Sequence, residues 1–538
     1  MEPFELDLRA RLGRAIAAAP TGPAPIVGRP AVARPPRIAR PRSDGDHPED
    51  GARVDAPAIS RRRLRTAFGL AAGIALLAVA LPMALPAGQQ ATSPVVAPEV
   101  AGPLLAVEHL ELGGVALQPV EADGRPIAGR DRVVGHRFQR AQSPDGRTLA
   151  IFRLPNTNTA TGELLLVDLA TWTWTHAPIT VPSDGVTAPA WTADSRTLAW
   201  FEPQSSSLYM PRDYRLMHWT IGDPAPVAGP TLAREFVPEQ MRSTDAGSLL
   251  VYGQPVGDTF LASGVPEVLL LDLAAGTISD RAELTGVVAG ERPGDRVHDE
   301  RRSGTARNAP GVAWDLPRDR LLVVQGGLLT SVHWETGRLT VDSRVIAPRT
   351  SLLDAVVAWV IPAAAAGAPD EGVRLAATLS PDGSRIYLTG TVTEADDTVT
   401  VARPFGLHVV DASDGTLLAS FDGPIDEIAL DPSGTRLVAT GTTATYPADG
   451  EEVGEFAPAD LLILDAVDLH ELARVPTPDG VSERTLVGFS ADGTQAYVRT
   501  FRPAESSLPV IQLLDVATAD LKEGRFSPGT WELLPLRP

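Results

Sequence analysis

No cysteine occurs anywhere in the 538 residues. Disulfides, thiolate nucleophiles and cysteine-bound zinc are therefore excluded, while the redox compartment stays open. Lysine is almost as scarce, with Lys522 alone, so arginine supplies nearly all the positive charge. Aromatic residues make up only 5% of the chain, and the 43% apolar content, enough for a large core, rests on aliphatic side chains. Catalytic and cofactor signatures are missing as well. There is no G-x-S-x-G elbow and no phosphate-binding loop, and His470-Glu471-Leu472-Ala473-Arg474 lacks the second histidine of a zinc-binding H-E-x-x-H. No cofactor is expected.

What charge there is lies unevenly. Residues 1–65 hold 13 Arg and 8 acidic residues, net +5; residues 66–87 hold none, so the remainder of a chain of net −20 carries −25. A domain that acidic does not suit nucleic acid, whose phosphates need basic partners.

Residues 3–19 place Phe4, Leu8, Leu12 and Ile16 four apart, with Arg9, Arg11 and Arg14 between them. That spacing predicts a short amphipathic helix, available to a cytoplasmic partner or the inner membrane surface. Residues 20–60 turn to Pro, Arg, Ala and Gly without apolar periodicity, which predicts a disordered tether. Arg61-Arg62-Arg63-Leu64-Arg65 then precedes 22 residues, 66–87, without one charge. About 20 apolar residues span a bilayer, and the basic flank stays cytoplasmic. The expected layout is a cytoplasmic segment (1–65), one transmembrane helix (66–87), a Pro- and Ala-rich spacer (88–103) and an extracytoplasmic domain (104–538).

That domain repeats itself. SPDGRTLAIF (143–152) has counterparts in TADSRTLAWF (192–201), STDAGSLLVY (243–252), DLPRDRLLVV (315–324), SPDGSRIYLT (380–389), DPSGTRLVAT (431–440) and SADGTQAYVR (490–499). Each is a polar turn followed by a short apolar run, the mark of a β-hairpin. A second run follows each hairpin and ends in a polar residue before a turn: Asp168, His218, Asp272, His333, Asp411, Asp465 and Asp515. The unit is strand, turn, strand, variable loop, strand, turn, strand. Seven such units predict an all-β fold, a seven-bladed β-propeller. Runs such as LLLV and LLIL are apolar on successive residues, so both faces of each sheet must be covered, as stacked blades do. The segments 104–112, 115–120 and 531–536 look like further strands, and we expect the N-terminal one to complete the seventh blade. The strand-end Asp should bond to turn backbone groups.

The pattern φ-x-SPDG-x-x-φ-A-φ, clearest in AQSPDGRTLAIF and PAWTADSRTLAWF, resembles the WD-repeat-like propellers of the Tol-type (TolB-like) periplasmic group, over roughly residues 140–526. The resemblance implies the fold; relatives include binding scaffolds as well as appendages of peptidases. Leu316-Pro317-Arg318-Asp319 departs from the motif, which makes the first turn of the fourth unit the least secure.

Loop lengths place the functional face. The turns within hairpins are tight, so every insertion falls in the second-to-third loops and the connections between blades, which emerge on one side of the disc. Residues 281–312 carry Arg292, Arg296, His298, Arg301 and Arg302, a pattern suited to carboxylates or an anionic glycan. Residues 347–374 include the apolar LLDAVVAWVIP. Residues 391–406 carry Asp396 and Asp397, and residues 442–460 carry Asp449, Glu451, Glu452 and Glu455, without calcium-loop spacing. Solvated loops are the plain alternative for both charge clusters. No catalytic or metal-ligating residue is singled out. The expected function is a single-pass, membrane-anchored binding or scaffold module, with a protein or cell-envelope ligand on the long-loop face. The alternative is a propeller enzyme, a lactonase or glycan-acting hydrolase with its site at the channel mouth.

Overall fold

The computed structural model describes residues 103–538 apart from 111–113, 155–160, 183–184, 205–212, 233–235, 245–246, 256–263, 288–308, 326, 336, 349–370, 396–398, 448–454, 507 and 536–538. The helix expected over 3–19, the tether and the span over 66–87 fall outside the described residues. Among those residues no helix is long and apolar enough to cross a membrane.

Consecutive strands pair antiparallel into four-stranded sheets. Blade 1 runs Arg137–Gln142, Thr148–Leu154, Thr161–Asp168 and Thr173–Pro182, each strand bonded to the next. Blades 2, 3 and 4 repeat this, opening with Thr187–Trp191, Phe236–Ser243 and Gly311–Asp315. Blades 5, 6 and 7 open with Glu371–Leu379, Glu427–Leu430 and Glu483–Phe489.

The expectation of seven blades is corrected to eight. Blade 7 supplies its own fourth strand, Leu521–Glu523, and needs neither terminal segment. The two ends pair with each other instead. Leu104–His109 lies between Val115–Val120 and the last strand, Thr530–Pro535, with Leu104 opposite Val120 on one side and Pro535 on the other. Val133–Gly135 completes this blade 8.

Among the described residues, eight apolar clusters, one at each seam between neighbouring blades, close the ring. Leu104, Ala106 and Leu533 of blade 8 pack on Tyr497 and Ile511 of blade 7. Leu105, Val107 and Leu117 of the same blade pack on Leu149, Ile151 and Val167 of blade 1. Alternation explains how one strand feeds two seams. In blade 3, Leu249, Val251, Leu269 and Leu271 face blade 2, while Leu250, Tyr252, Val268 and Leu270 face blade 4. Period two sends successive side chains to opposite faces, so a run of buried leucines is what a doubly covered sheet needs. The first strands of blades 1 and 2, 2 and 3, 4 and 5, and 6 and 7 touch one another, and that of blade 7 touches Thr530–Pro535 of blade 8, which puts these strands on the inner side of the ring.

The turns are held by the chemistry their sequence predicts. In blade 1 the Ser143 hydroxyl donates to Asp145 Oδ1 (2.5 Å), which also accepts the Arg147 N–H (3.0 Å), and the Thr148 N–H donates back to Ser143 Oγ (2.9 Å). Thr192 with Asp194, Ser380 with Asp382 and Ser490 with Asp492 repeat it. Gly146, Gly383, Gly434 and Gly493 take positive φ at the turn's end, where a side chain would be strained. The fourth copy differs, as its sequence suggests. Leu316–Arg318 forms a 3-10 turn, and Asp319 takes φ +50° in the glycine's place. Strand-end aspartates bond their turns too: Asp168 accepts the Thr171 N–H (2.8 Å) and Asp515 those of Ala517 and Thr518 (both 3.0 Å).

Candidate functional site

The two faces of the disc differ in chemistry. On the tight-turn face, polar groups are spent on one another between blades. The Asp145 N–H donates to Ser195 Oγ (3.1 Å) and the Ala193 N–H to Ser243 Oγ (2.9 Å). Arg320, buried, donates to Asp315 Oδ2 (2.7 Å), the Ala412 carbonyl (2.9 Å) and the Gly383 carbonyl (2.9 Å), joining blades 4 and 5.

The opposite face carries the insertions. Arg292, Arg296, His298, Arg301 and Arg302 fall outside the described residues, as do Asp396, Asp397, Asp449, Glu451 and Glu452. Glu455 is described, and it is exposed at the start of strand Glu455–Pro458. The strands flanking both acidic insertions belong to one sheet. The second strand of blade 5 runs on to Ala395, and its extension pairs with Val399–Pro404. That strand pairs antiparallel with Thr442–Pro447 of the blade 6 insertion, which pairs with Glu455–Pro458. With the start of the first strand of blade 5, whose Glu371–Arg374 pairs with Thr391–Glu394, the result is a five-stranded ribbon joining blades 5 and 6. Val399 sits opposite Pro447 and Thr445 opposite Glu455, so the strand ends leading into 396–398 and 448–454 lie side by side. Glu394 on this ribbon is ion-paired with Arg403. At the base of the other two insertions, the Ala309 N–H donates to the Val373 carbonyl (3.0 Å) and the Leu375 N–H to the Ala309 carbonyl (2.8 Å). The segments that follow the arginine-rich and the apolar insertions are thus joined.

Two carboxyls not singled out in the sequence stand beside the axis. Glu427 opens the first strand of blade 6 and Asp426 directly precedes it, both half-buried. Asp426 Oδ2 accepts the Thr442 N–H (3.1 Å), and Glu427 Oε2 accepts the Leu486 N–H of blade 7 (2.7 Å). Burial pushes the Asp426 carboxyl up to about 7. Burial, with the charge of Asp426 next in weight, pushes Glu427 up to about 8. The nearby guanidinium, Arg499, has its Nη2 on Glu483 Oε1 (2.7 Å). The sequence signal was an acidic pair opening an inner strand after Gly423-Pro424, where a purely structural strand would be apolar.

Two further places hold converging groups. Asp465, Asp468 and His470 bring ligand atoms within 4.8 Å of one another. Their atoms already serve the turn: Asp465 Oδ1 accepts the Val467 N–H (2.7 Å), and Asp468 Oδ1 meets His470 Nδ1 (2.6 Å). A cavity of about 250 Å³ opens at the loop end of blade 1, with Phe138, Phe152, Leu154, Val181 and Val186 as its apolar wall and His136 and Gln139 as its polar groups.

No family model matches the chain, and no curated protein matches it. Solved structures give weak likenesses. A periplasmic gluconolactonase of Pseudomonas aeruginosa is 14% identical over 68% of this chain and 99% of its own, at TM-score 0.36. The propeller domain of the trilobed protease of Pyrococcus furiosus is 12% identical over 72% and 96%, at 0.33. TolB of Acinetobacter baumannii is 12% identical over 69% and 65%, at 0.27. These values tell nothing of what this chain binds.

Proposed function

We propose that the protein is a single-pass, membrane-anchored scaffold whose extracytoplasmic propeller binds a protein or cell-envelope partner on its insertion-bearing face. The observation that carries this reading is the asymmetry of the disc. One face uses its polar groups internally, while the other builds a ribbon across two blades that no seam requires. The span over 66–87 and its basic flank support the anchor and the outward orientation. The shared S-x-D turn chemistry supports a place among WD-repeat-like, Tol-type propellers. A crosslinking pull-down from membranes tests the proposal, comparing the full chain with one whose ribbon insertions are cut back to short turns. A partner should be captured by the first and lost from the second. Equal recovery from both would remove the ribbon from the argument, and protection of the propeller's epitopes from protease on intact cells would refute its orientation.

A second reading, a lactonase or glycan-acting hydrolase, is favoured by one observation: Asp426 and Glu427 are adjacent, half-buried carboxyls that stay protonatable near neutral pH. Hydrolysis of a lactone and glycoside panel by the full chain tests it, and absence of turnover across the panel would sink it.

A further inference from the structure

The first strand of blade 7, Glu483–Phe489, lies at the edge of its sheet, so alternate N–H groups lack a ladder partner there. Its register slips between Leu486 and Gly488, and Gly488 takes φ +145°. A bulge of this kind turns the local backbone out of the ladder. The Leu486 N–H meets Glu427 Oε2 at 2.7 Å, across the seam between blades 6 and 7. Asp426, one residue earlier, is tied to its own blade through the Thr440 carbonyl (3.0 Å) and the Thr442 N–H (3.1 Å). One carboxyl anchors the strand; its neighbour reaches across the gap.

The charged groups facing Glu427 are Asp426 on its own strand, Glu483 on the first strand of blade 7 and Arg499 on the second. Arg499 is engaged by Glu483 (2.7 Å), so its charge is already shared. Full ionisation of Asp426 and Glu427 would leave two adjacent negative charges held by backbone N–H groups. The Leu486 bond favours ionised Glu427, yet burial and the Asp426 charge outweigh it. Glu427 is only half-buried, so turning its carboxylate towards solvent relieves both costs, at the loss of that bond.

We propose that Glu427 is a proton-operated catch between blades 6 and 7, closed on Leu486 while the Asp426–Glu427 pair holds a proton and released when both carboxyls are ionised. The folded protein binds protons at this pair more tightly than the unfolded chain. The seam is therefore most stable at the acid end of the window between the ordinary carboxyl range and about 8, and weakens as pH rises through it. The two groups titrate as a pair.

Amide hydrogen exchange on the full-length chain at pH 6 and pH 9, corrected for the intrinsic pH dependence of exchange, tests the catch. In the unmodified chain, protection of the Leu486 amide should fall about tenfold. Glu427→Gln, whose amide oxygen still accepts, should keep protection at both pH values, and Glu427→Ala should lack it at both. Asp426→Asn, which cannot become doubly charged, should keep it at pH 9. Loss of protection in Glu427→Gln with the unmodified pH profile would overturn the proposal. So would an alanine variant as protected as the unmodified chain; should that variant not fold, the glutamine comparison decides alone.

Discussion

Arg140, in the first strand of blade 1, is ion-paired with Glu532 in the last strand of the chain, and both side chains are almost fully buried. The pair spans the seam where the ring closes. Arg140 Nε is buried without a hydrogen-bond partner, and Nη2 carries the contact with Glu532. Removing one member leaves an uncompensated buried charge, whereas removing both leaves none. Glu532→Ala should therefore cost about 3–5 kcal/mol. A joint replacement, Arg140→Met with Glu532→Leu, should recover most of that. Urea midpoints of the three proteins at constant m-value check it.

Deleting residues 529–538 should do more. Leu104–His109 would lose its neighbour on one side and present an open sheet edge, while Leu533 would leave the apolar seam with blade 7. We expect early proteolytic cleavage in blade 8 and self-association on size-exclusion chromatography. A truncated chain as monomeric and protease-resistant as the full one would show that the ring closes without its last strand.

The turns predict an acid limit. The Ser380 hydroxyl, followed by N–H and hydroxyl donors of Ser384, holds the Asp382 carboxyl below its usual range, and the Thr192 hydroxyl and Arg196 N–H do the same for Asp194. A depressed folded-state value adds stability above the unfolded value, near 3.8, that is lost as pH falls through the folded one. Thermal stability should decline below about pH 4, and Asp382→Asn should flatten part of that decline. Ser380→Ala, which removes a buried hydroxyl bonded to Asp382, should cost about 1 kcal/mol at neutral pH.

Gly390 marks the point where the second strand of blade 5 leaves the blade for the ribbon. Its φ is +149°, and a Cβ there would lie 1.9 Å from the Arg374 carbonyl oxygen. Gly390→Ala should force the two strands apart and cost about 1–3 kcal/mol by overpacking. The loss should register as faster amide exchange in Val399–Pro404 and Thr442–Pro447, with blades 1 to 3 unchanged. Uniform destabilisation of every blade would argue that the ribbon is no separate extension.

Much of this was legible from residues alone. The S-x-D-G turns, the strand-end aspartates and the doubly apolar runs gave seven blades their positions. The eighth was hidden because the fourth strand of blade 7 is Leu521-Lys522-Glu523, too short and too polar to register as an apolar run. Apolar runs alone therefore leave blade 7 one strand short, which is why they point to a terminal segment there. The ribbon was missed for a different reason. Its strands pair with another insertion more than 40 residues away, and the alternation in Val399-Thr400-Val401 is too short to show which segment it would meet. Asp426 and Glu427 carry only a faint signal, an acidic pair at the start of a strand, because periodicity reports which face a side chain takes and not how closely protein surrounds it.

Blade 8 also fixes an order of events. Its first three strands are made at the start of the domain, and its innermost one is nearly the last to be made. Blades 1 to 7 each contain all the strands they need and can form in sequence as the chain emerges. The strand Leu104–His109 must wait, one side unpaired, through the synthesis of everything between. For that interval the domain is an unclosed arc with two raw ends, and whatever keeps those ends from foreign strands acts before Thr530–Pro535 arrives.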